Sequence, residues 1–435
     1  MTDIIGIRRE DKNRWERRVP LIPQDVKRLI NKYNIRLRIQ PSSIRVFPDT
    51  DYVKVGAEIK EDISDCPIVF AVKEIPLDFF CPGNTYIFFS HTIKGQSYNM
   101  PMLKRMMERG CQLIDYERIM DKNGRRLIAF GRYAGIAGMI DTLWAVGKRL
   151  RWEGINNPFT RIKRAYEYRE TKDAKEHITQ VGKEIIEKGL DSSLCPILFA
   201  FAGYGNVSGG AQELLDCLPV EEIPPDEIAD SDSSSNRVLY KVVFKEKDMV
   251  ESISGASFDL MDYYKHPNKY RSRFHDYVPY ITVLINCIYW EAKYPRFVTK
   301  EYLKQLYEME NPRLRVIGDI SCDIEGAIQC TLHSTTPDNP VFVYDPFNDA
   351  AKDGYKGRGP VIMAIDNLPC EIPVESSIHF SNTLMRFIPD VVKADFSKSF
   401  ENCNLPYEIK NGVILYGGKL TDDFKYLEKY LGRGA

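Results

Sequence analysis

The sequence predicts an α/β protein of two domains, each built on a parallel sheet. Short apolar runs of strand length alternate with segments of helical spacing along the chain, which is typical of parallel sheets with helices between the strands. At 435 residues, the chain is longer than one hydrophobic core comfortably supports. Its composition, 43% hydrophobic and 28% charged, is that of an ordinary globular protein.

Four strands are predicted in the first part of the chain. They cover residues 4–7, 67–72, 85–89 and 112–114, with a helix over 102–109 before the last of them. A longer helix is predicted at 133–149, where small residues permit close packing. We expect this helix to bridge the two domains.

Strand patterns recur in the second part of the chain. They cover residues 196–202, 238–244, 282–288, 315–320, 341–344 and 361–365. The acidic, serine-rich segment 224–236 is predicted to be a surface loop.

Composition argues against several classes of protein. A formal net charge of −1 lacks the basic excess of a nucleic-acid-binding protein, and no apolar run approaches the ~20 residues of a membrane span. The strand-like start leaves no room for a signal or transit peptide, which predicts a cytoplasmic protein. Ten cysteines without a C-x-x-C pair predict free thiols and no metal site.

A glycine-rich segment follows the strand at 196–202. Gly203 would form a tight turn, and Gly205 would let a pyrophosphate approach the backbone ahead of a helix. The match to the usual fingerprint is imperfect, because its third glycine position holds Ser208, with Gly209 one residue later. The motif alone leaves two interpretations open: a dinucleotide-binding loop or a glycine-rich connection.

Titratable residues follow three predicted strands of the first domain. Lys73 and Glu74 follow the second strand, His91 follows the third and Glu117 the fourth. Each one alone is typical of a solvated strand end. Together they lie at the sheet edge where α/β proteins bind ligands, and such neighbours can tune one another's pKa values for proton transfer.

Cations are dense around these positions. Guanidinium groups bind carboxylates through two parallel hydrogen bonds, so a converging set would suit a polycarboxylate ligand. The cations are Arg8, Arg9, Arg14, Arg17, Arg18, Lys94, Arg125 and Arg126.

Several longer motifs carry a resemblance. They include Phe-Phe-Ser-His-Thr-Ile-Lys (88–94) and Phe-Ala-Gly-Tyr-Gly-Asn-Val-Ser-Gly-Gly-Ala-Gln (201–212), with 8–23, 124–141, 284–291, 318–326 and 365–369. The chain resembles the family of alanine dehydrogenase, saccharopine dehydrogenase and lysine–ketoglutarate reductase. Within that family it is similar to the saccharopine-forming reductase domain of α-aminoadipic semialdehyde synthase, from the first strand to about residue 430.

The resemblance implies a fold of two Rossmann-like domains with parallel sheets and an interdomain cleft. The substrate-binding domain would be discontinuous, covering residues 1–134 and 372–435, and the dinucleotide-binding domain would cover 135–371. The second dehydrogenase half of animal and plant versions is absent. The chain is therefore expected to be a stand-alone cytoplasmic enzyme or the reductase domain of a longer, mitochondrial one.

The implied reaction condenses L-lysine with 2-oxoglutarate to saccharopine, with NADPH as reductant. By resemblance, Lys73 and His91 carry the proton transfers. Three cations hold the substrate carboxylates, and two carboxylates modulate the charge of the catalytic pair. These substrate-binding residues are Arg18, Lys94, Arg126, Glu117 and Glu74.

The resemblance also implies the cofactor-binding residues. They are Gly203, Tyr204, Gly205, Asn206, Val207, Ser208, Glu222, Ile320, Ser321, Asp366 and Asn367. Glu222 lies near the spacing at which an acidic residue takes the ribose hydroxyls and favours NAD, whereas the family favours NADPH, so NADH stays open. Asp319, Asp323 and Glu325 could suggest a metal, but we expect them to border the nicotinamide instead.

Two rival functions remain. One is an NAD-dependent saccharopine dehydrogenase that forms lysine, and the other is a non-catalytic module that retains a nucleotide pocket. A saccharopine dehydrogenase partner or fused domain and an oligomer also stay open.

The aromatic and basic segment 263–280 superficially resembles a single-strand nucleic-acid site, but is predicted to be a packed, tyrosine-rich loop.

Overall fold

The computed structural model describes residues 4–229 and 235–432, and the chain divides into two compact units. Unit 1 comprises Met1–Ala129 and Pro373–Ala435, and unit 2 comprises Phe130–Ile372. The sequence predicts that the first domain ends at residue 134 and resumes at residue 372, whereas unit 1 ends at Ala129 and resumes at Pro373. Each unit has its own sheet and is described by itself.

β-Strands occur throughout the part of the chain that the structure describes. They are β1 Ile4–Ile7, β2 Arg36–Ile39, β3 Glu58–Ile59, β4 Ile68–Phe70, β5 Thr85–Phe88, β6 Gln112–Asp115, β7 Leu198–Ala202, β8 Val220–Glu222, β9 Leu239–Phe244, β10 Val250–Ser252, β11 Tyr270–Ser272, β12 Val283–Asn286, β13 Val316–Asp319, β14 Val341–Asp345, β15 Ala350–Asp353, β16 Val361–Met363, β17 Val413–Tyr416 and β18 Lys419–Leu420.

The α-helices lie between these strands and at the end of the chain. They are α1 Pro23–Tyr33, α2 Asp49–Lys54, α3 Met100–Glu108, α4 Gly131–Trp152, α5 Thr171–Lys188, α6 Asn206–Leu215, α7 Glu246–Met249, α8 Leu260–Lys265, α9 Lys300–Glu308, α10 Pro373–Leu384, α11 Ile388–Lys393, α12 Tyr407–Lys410 and α13 Glu428–Leu431. No helix among them is both long and apolar enough to cross a lipid bilayer.

Unit 1 is built on an eight-stranded sheet in the order β18-β17-β6-β5-β4-β1-β2-β3. β1 to β6 are parallel, and β17 and β18 pair antiparallel at one edge. The chain moves outward from β1 through β2 and β3, then returns to add β4 on the other side of β1. Such a reversal opens a crevice at the carboxyl ends of the two central strands, where α/β proteins bind ligands.

Unit 2 contains a second eight-stranded sheet in the order β15-β14-β16-β13-β12-β7-β9-β8. β14 pairs antiparallel with both β15 and β16, and the other neighbouring strands described in this sheet pair parallel. β7 precedes the glycine-rich segment and lies between β9 and β12, whereas β8 occupies the outer edge. The predicted α/β class with predominantly parallel sheets is therefore confirmed.

The strands predicted from apolar runs are all present, with ends that differ by at most two residues. The run at 196–202, for example, forms a strand from Leu198, although the Ile197 carbonyl oxygen already accepts a hydrogen bond from Tyr240 N at 2.9 Å. The predicted helix at 133–149 extends over Gly131–Trp152 and lies wholly within unit 2. The expectation that it bridges the two domains stays a prediction.

Helix α4 is buried on most of its surface, and its small residues let it approach α6 closely. A Cβ on Gly135 would collide with the carbonyl oxygen of Val207, and one on Gly210 would collide with that of Arg132. The two backbones are therefore in direct contact. Because α6 begins at the glycine-rich segment, this contact fixes where that segment lies in unit 2.

The tyrosine-rich segment packs within unit 2, as predicted. Tyr263, Tyr270 and Phe274 are buried, and the first two rings meet edge to face with centroids 5.3 Å apart. β10 and β11 form a small antiparallel sheet beside them. Of the predicted acidic loop at 224–236, residues 230–234 lie outside the described residues.

Two carboxyl groups are buried together in unit 2. Asp141 on α4 accepts a hydrogen bond from Ala165 N at 2.9 Å, and the buried carboxyl group of Glu371 lies close enough to interact with it. Burial raises the pKa of Asp141 to about 7, and burial together with repulsion from Asp141 raises the pKa of Glu371. At neutral pH the pair therefore holds a proton that the unfolded chain has released.

The close contact between α4 and α6 predicts opposite effects at neighbouring glycines. Gly210→Ala should lower the free energy of unfolding by about 1–3 kcal/mol, because the new methyl group meets rigid backbone. Gly209→Ala is the matched control, since no atom lies within 4 Å of a Cβ there. It should be neutral or stabilising by up to ~1 kcal/mol, because alanine favours helix. Denaturant titrations measure both, and equal effects would contradict this packing.

The buried carboxyl pair predicts a pH-dependent stability. Because the folded state retains protons above the ordinary carboxyl pKa of about 4, the unfolding free energy falls as pH rises from there through about 7. Glu371→Gln keeps the shape and removes the titrating group. Between pH 5 and 8 it should lose less stability than the unmodified chain, by on the order of 2 kcal/mol.

Denaturant titrations at several pH values measure this difference. Glu187→Gln, on the exposed face of α5, is the control and should follow the unmodified chain. If the Glu371→Gln and unmodified curves run parallel, the pair does not share a proton in the folded protein.

Candidate active site

Polar side chains gather in unit 1 at the carboxyl ends of β1, β4, β5 and β6. Glu10 follows β1, Lys73 follows β4, His91 follows β5 and Glu117 follows β6. Because these four strands are parallel neighbours, the residues after them lie along one edge. This edge includes the point between β1 and β4 where the strand order reverses.

Glu10 ties the end of β1 to the end of β4. It is buried, and its two carboxyl oxygens accept the N–H groups of Val72 at 2.7 Å and Lys73 at 2.9 Å. Burial and repulsion from Glu16 raise the pKa of Glu10 to about 7, against the stabilising effect of the two N–H groups. The carboxyl group therefore fixes the backbone from which the Lys73 side chain extends.

The Lys73 ammonium lies in an environment that disfavours its charge. Desolvation lowers its pKa most, and repulsion from Arg18 lowers it further, whereas Glu16 and Glu74 act in the opposite direction. A lysine with a lowered pKa can release and recover a proton nearer to neutral pH than a solvated one.

Glu74 joins a histidine and a second lysine. Its Oε1 lies 2.7 Å from His91 Nδ1, and Lys12 Nζ lies 2.8 Å from both carboxylate oxygens. Burial disfavours its charge, but these hydrogen bonds outweigh burial and lower the pKa of Glu74. Because Glu74 is then ionised, Nδ1 of His91 donates to it, and Nε2 is the nitrogen that can exchange a proton with a ligand.

The backbone at His91 adopts a conformation that is uncommon for histidine. Its φ is +49°, in the left-handed region that non-glycine residues seldom occupy, and its carbonyl oxygen accepts a hydrogen bond from Asn99 Nδ2 at 3.2 Å. Such strain persists where the surroundings over-determine the conformation, commonly at functional sites.

Arg18 is buried against a neighbouring carboxylate. Its Nε and Nη2 bind Glu16 Oε1 and Oε2 at 2.7 and 2.6 Å, and both side chains are almost fully buried. The predicted substrate-binding arginine therefore already holds a two-point carboxylate contact. Its charge reaches Lys73, whose pKa it lowers.

Arg126 connects Glu117 to the histidine through an aromatic ring. Its guanidinium lies 5.5 Å from the centroid of Phe89 and 3.6 Å from Glu117 Oε1. Phe89 in turn stacks on His91 with a centroid distance of 6.4 Å. Burial lowers the pKa of Arg126, opposed chiefly by the charge of Glu117. The structure thus brings these predicted residues together, whereas Lys94 is exposed.

A buried carboxylate supports the segments around His91 and Glu117. Asp115 accepts hydrogen bonds from Ser90 N at 2.9 Å, from the Ser90 hydroxyl and from Glu117 N at 2.7 Å. Burial raises the pKa of Asp115. The group therefore links the ends of β5 and β6 much as Glu10 links β1 and β4.

The glycine-rich segment of unit 2 fits a dinucleotide. Gly203 has a φ of +99°, which a side chain would strain, and a Cβ on Gly205 would extend into open space. Helix α6 starts at the next residue, and Gly205 supplies no side-chain cap. Open space in front of the first N–H groups of a helix is what a pyrophosphate requires.

The other residues predicted from this segment differ in exposure. Tyr204 is 51% exposed, Asn206 is exposed and Val207 is half-buried. Ser208 is fully buried and accepts a hydrogen bond from Gln212 Nε2 at 2.9 Å. Ser208 occupies the third glycine position of the fingerprint, where the helix packs closely.

Glu222 ends β8, at the outer edge of the sheet. Lys241 binds it at 3.1 Å and also binds Asp216 at 3.0 Å. β9 separates this strand from β7. The acidic residue at the expected sequence spacing is therefore engaged in an ion pair. Its strand, β8, is not a neighbour of β7, the strand that precedes the glycine turn.

The carboxyl ends of β12 and β13 carry a buried polar network. Asp319 accepts hydrogen bonds from Asn286 Nδ2 at 2.8 Å and from the Thr331 hydroxyl at 2.6 Å. Burial raises its pKa to about 6. Ile320 is buried, and the Ser321 hydroxyl donates to Ile288 O at 2.5 Å.

Asp366 and Asn367 follow β16, and the first is exposed while the second is half-buried. Within residues 4–229 and 235–432, no group of three or more histidine, cysteine or carboxylate side chains could hold a metal ion. The cysteines described there are free thiols.

Family comparisons agree with this arrangement. The model of the N-terminal domain of alanine dehydrogenase/PNT matches residues 6–137, and that of the C-terminal domain matches 239–423. The chain belongs to the alanine dehydrogenase/PNT family. It is an oxidoreductase of that family. A solved L-alanine dehydrogenase shares its fold, with a TM-score of 0.64 and 17% sequence identity. The match covers 99% of this chain and 100% of that one.

Closer sequence similarity lies with two kinds of relative. α-Aminoadipic semialdehyde synthase from Arabidopsis thaliana is 37% identical over 98% of this chain and 41% of its own length. Saccharopine dehydrogenase [NAD(+), L-lysine-forming] from Emericella nidulans is 27% identical over 85% of this chain and 87% of its own. The chain thus spans less than half the length of the first relative.

In this member of the alanine dehydrogenase/PNT family, sequence reasoning missed four residues that shape the unit 1 edge: Glu10, Glu16, Ser90 and Asp115. A signal for Glu10 was present, since it follows the first predicted strand by three residues and must lie at the same edge as Lys73. The pairing of Glu16 with Arg18 had no such signal, because residues 8–18 are densely charged and nothing local distinguishes Glu16 among them.

Proposed function

We propose that the chain catalyses the reductive condensation of L-lysine with 2-oxoglutarate to saccharopine, with NADPH as reductant. One observation carries the proposal: the desolvated Lys73 beside the ionised Glu74 that orients His91. This places a proton-exchanging amine and a proton-exchanging imidazole at one sheet edge. Imine formation and reduction require at least two proton transfers, so the chemistry matches the groups present.

Sequence similarity supports the same reaction. The relatives named α-aminoadipic semialdehyde synthase are 36–37% identical over 98% of this chain. The relatives named saccharopine dehydrogenase are less similar, at 26–28% identity. A reductase that forms saccharopine is therefore favoured over the NAD-dependent enzyme that forms lysine.

The first step needs a neutral amine. The ε-ammonium of substrate lysine has an ordinary pKa of about 10.4 and must lose a proton before its nitrogen attacks the keto carbon of 2-oxoglutarate. Nε2 of His91, held by Glu74 through Nδ1, would accept this proton. The nitrogen–carbon bond then forms, and the former carbonyl oxygen becomes the hydroxyl of a carbinolamine.

The second step needs an acid. The Lys73 ammonium would donate a proton to the carbinolamine hydroxyl, which leaves as water and generates the protonated imine. The lowered pKa of Lys73 makes this donation easier than from a solvated lysine. When bound, the nicotinamide cofactor supplies the hydride that reduces the imine carbon.

Cations would hold the carboxylates of the two substrates. Arg126 is partly exposed beside Phe89 and Glu117, and Lys94 is exposed, so both are accessible to a ligand. Arg18 would act mainly through its charge while it is bound to Glu16. In unit 2, Gly203, Gly205 and the start of α6 would hold the cofactor pyrophosphate.

Removing either proton-exchanging group should slow the reaction strongly. Lys73→Met and His91→Asn should each reduce turnover by about 10²–10⁴, the usual contribution of a general acid or base. Asparagine is chosen because it tolerates the positive φ of His91. Turnover is measured as oxidation of NADPH in the presence of lysine and 2-oxoglutarate, with saccharopine identified by mass spectrometry.

Lys104→Met, at an exposed position on α3, is the matched control and should retain normal turnover. If either site variant also retains it, that residue has no role in proton transfer. The reverse assay with saccharopine and NAD⁺ distinguishes the rival enzyme. Faster turnover there than in the forward assay with NADPH would overturn the proposed direction and cofactor.

A further inference from the structure

The order of strands in unit 2 identifies a different position for recognising the cofactor ribose. In dinucleotide-binding sheets, the chain continues from the glycine turn through a helix to a strand that pairs with the glycine-turn strand. The residue at the carboxyl end of that second strand faces the ribose of the adenosine. By sequence spacing that strand would be β8, which ends at Glu222. In the sheet, however, β9 lies beside β7, with Ala202 paired to Phe244.

Lys245 is the residue that follows β9. Gly203 N donates to Phe244 O at 3.1 Å, so the glycine turn and the end of β9 are directly joined. The Lys245 side chain is exposed, and its Nζ lies 5.8 Å from the centroid of the Tyr204 ring. A cation and an exposed aromatic ring therefore border the start of the glycine turn.

The two carboxylates near Lys245 are held by other groups, although the charge of Glu246 also reaches the Tyr204 hydroxyl and raises its pKa. Glu246 accepts a hydrogen bond from the Tyr264 hydroxyl at 2.7 Å, and Asp248 Oδ2 accepts one from the backbone N of Lys245 at 2.9 Å. Among the described residues, no carboxylate lies within 4.0 Å of the Lys245 ammonium. Tyr264 belongs to the tyrosine-rich segment, which therefore holds the Glu246 side chain through this hydrogen bond.

We propose that Lys245 binds the 2′-phosphate of NADPH and sets the preference of this chain for NADPH over NADH. The inference rests on the proposed function for the identity of the cofactor. The ammonium would bind the phosphate dianion as a point charge, and the ring of Tyr204 would flank the adenosine. NADH lacks the phosphate and would gain nothing from this lysine, while Glu222 stays paired with Lys241.

Binding of nucleotide fragments tests the assignment without turnover. In the full chain, Lys245→Ala should weaken binding of 2′,5′-ADP by about 10- to 100-fold, the usual effect of a charge-assisted contact. Binding of 5′-AMP, which lacks the 2′-phosphate, should not change. Calorimetry measures both affinities, and fluorescence titration with NADPH and NADH should give the same pattern.

Lys247→Ala is the matched control, because it removes another exposed lysine two residues away. It should leave the affinity for 2′,5′-ADP unchanged. Equal losses in Lys245→Ala and Lys247→Ala would reduce the effect to general surface charge and overturn the assignment. Unchanged binding of 2′,5′-ADP by Lys245→Ala would also overturn it.

Glu246→Gln tests the opposite assignment at the same strand end. If Glu246 reads the ribose hydroxyls of NADH, this variant should weaken binding of 5′-AMP and NADH, which would overturn the role of Lys245. Unchanged binding of 5′-AMP would support it. Tighter binding of 5′-AMP than of 2′,5′-ADP by the unmodified chain would likewise contradict a preference for NADPH.

The binding assay tests the assignment of Lys245, and the saccharopine assay tests the proposed reaction, so either can be contradicted without the other. If Lys245→Ala loses affinity for 2′,5′-ADP selectively, the assignment of Lys245 stands even when no saccharopine forms. If saccharopine forms but the variant binds 2′,5′-ADP normally, the proposed reaction stands and the assignment of Lys245 is wrong.

Discussion

The buried carboxyl group of Glu10 is the contact on which the unit 1 site depends. It joins the ends of β1 and β4 by accepting two backbone N–H groups, at the point where the strand order of the sheet reverses. Without this bridge, the backbone that carries Lys73 would have two buried donors without acceptors, which is costly. The same contact brings the Lys73 ammonium into a desolvated position within reach of the charges of Arg18 and Glu74.

Unit 2 also carries its candidate binding groups at a reversal of strand order. Its glycine turn also lies at a reversal of strand order, between β7 and β12, and is held by the backbone contact of α4 with α6. Each unit therefore presents its chemistry at the carboxyl ends of parallel strands, one with titratable side chains and the other with backbone groups. An oxidoreductase that exchanges protons with its substrate and uses a nicotinamide cofactor needs both kinds of surface.

Much of this arrangement could be read from the sequence, because apolar runs and glycine turns are local signals. Lys73, His91 and Glu117 were predicted together, since each directly follows a buried strand. The order of β8 and β9 could not be read, because lateral strand order depends on pairing between distant residues. Local sequence also shows charge without the partner, so it revealed neither the pairing of Arg18 with Glu16, two residues before it, nor the burial of Asp141 beside the distant Glu371.

The pKa of Lys73 is the quantity that tests this account most directly. It can be measured by NMR on protein whose lysines carry ¹³C-methyl labels, with Lys73→Met used to assign the signal. The account predicts a pKa clearly below the ordinary value of about 10.4, because desolvation and the charge of Arg18 both disfavour the ammonium. A pKa at or above that value would contradict it and remove the basis for proton donation by this residue.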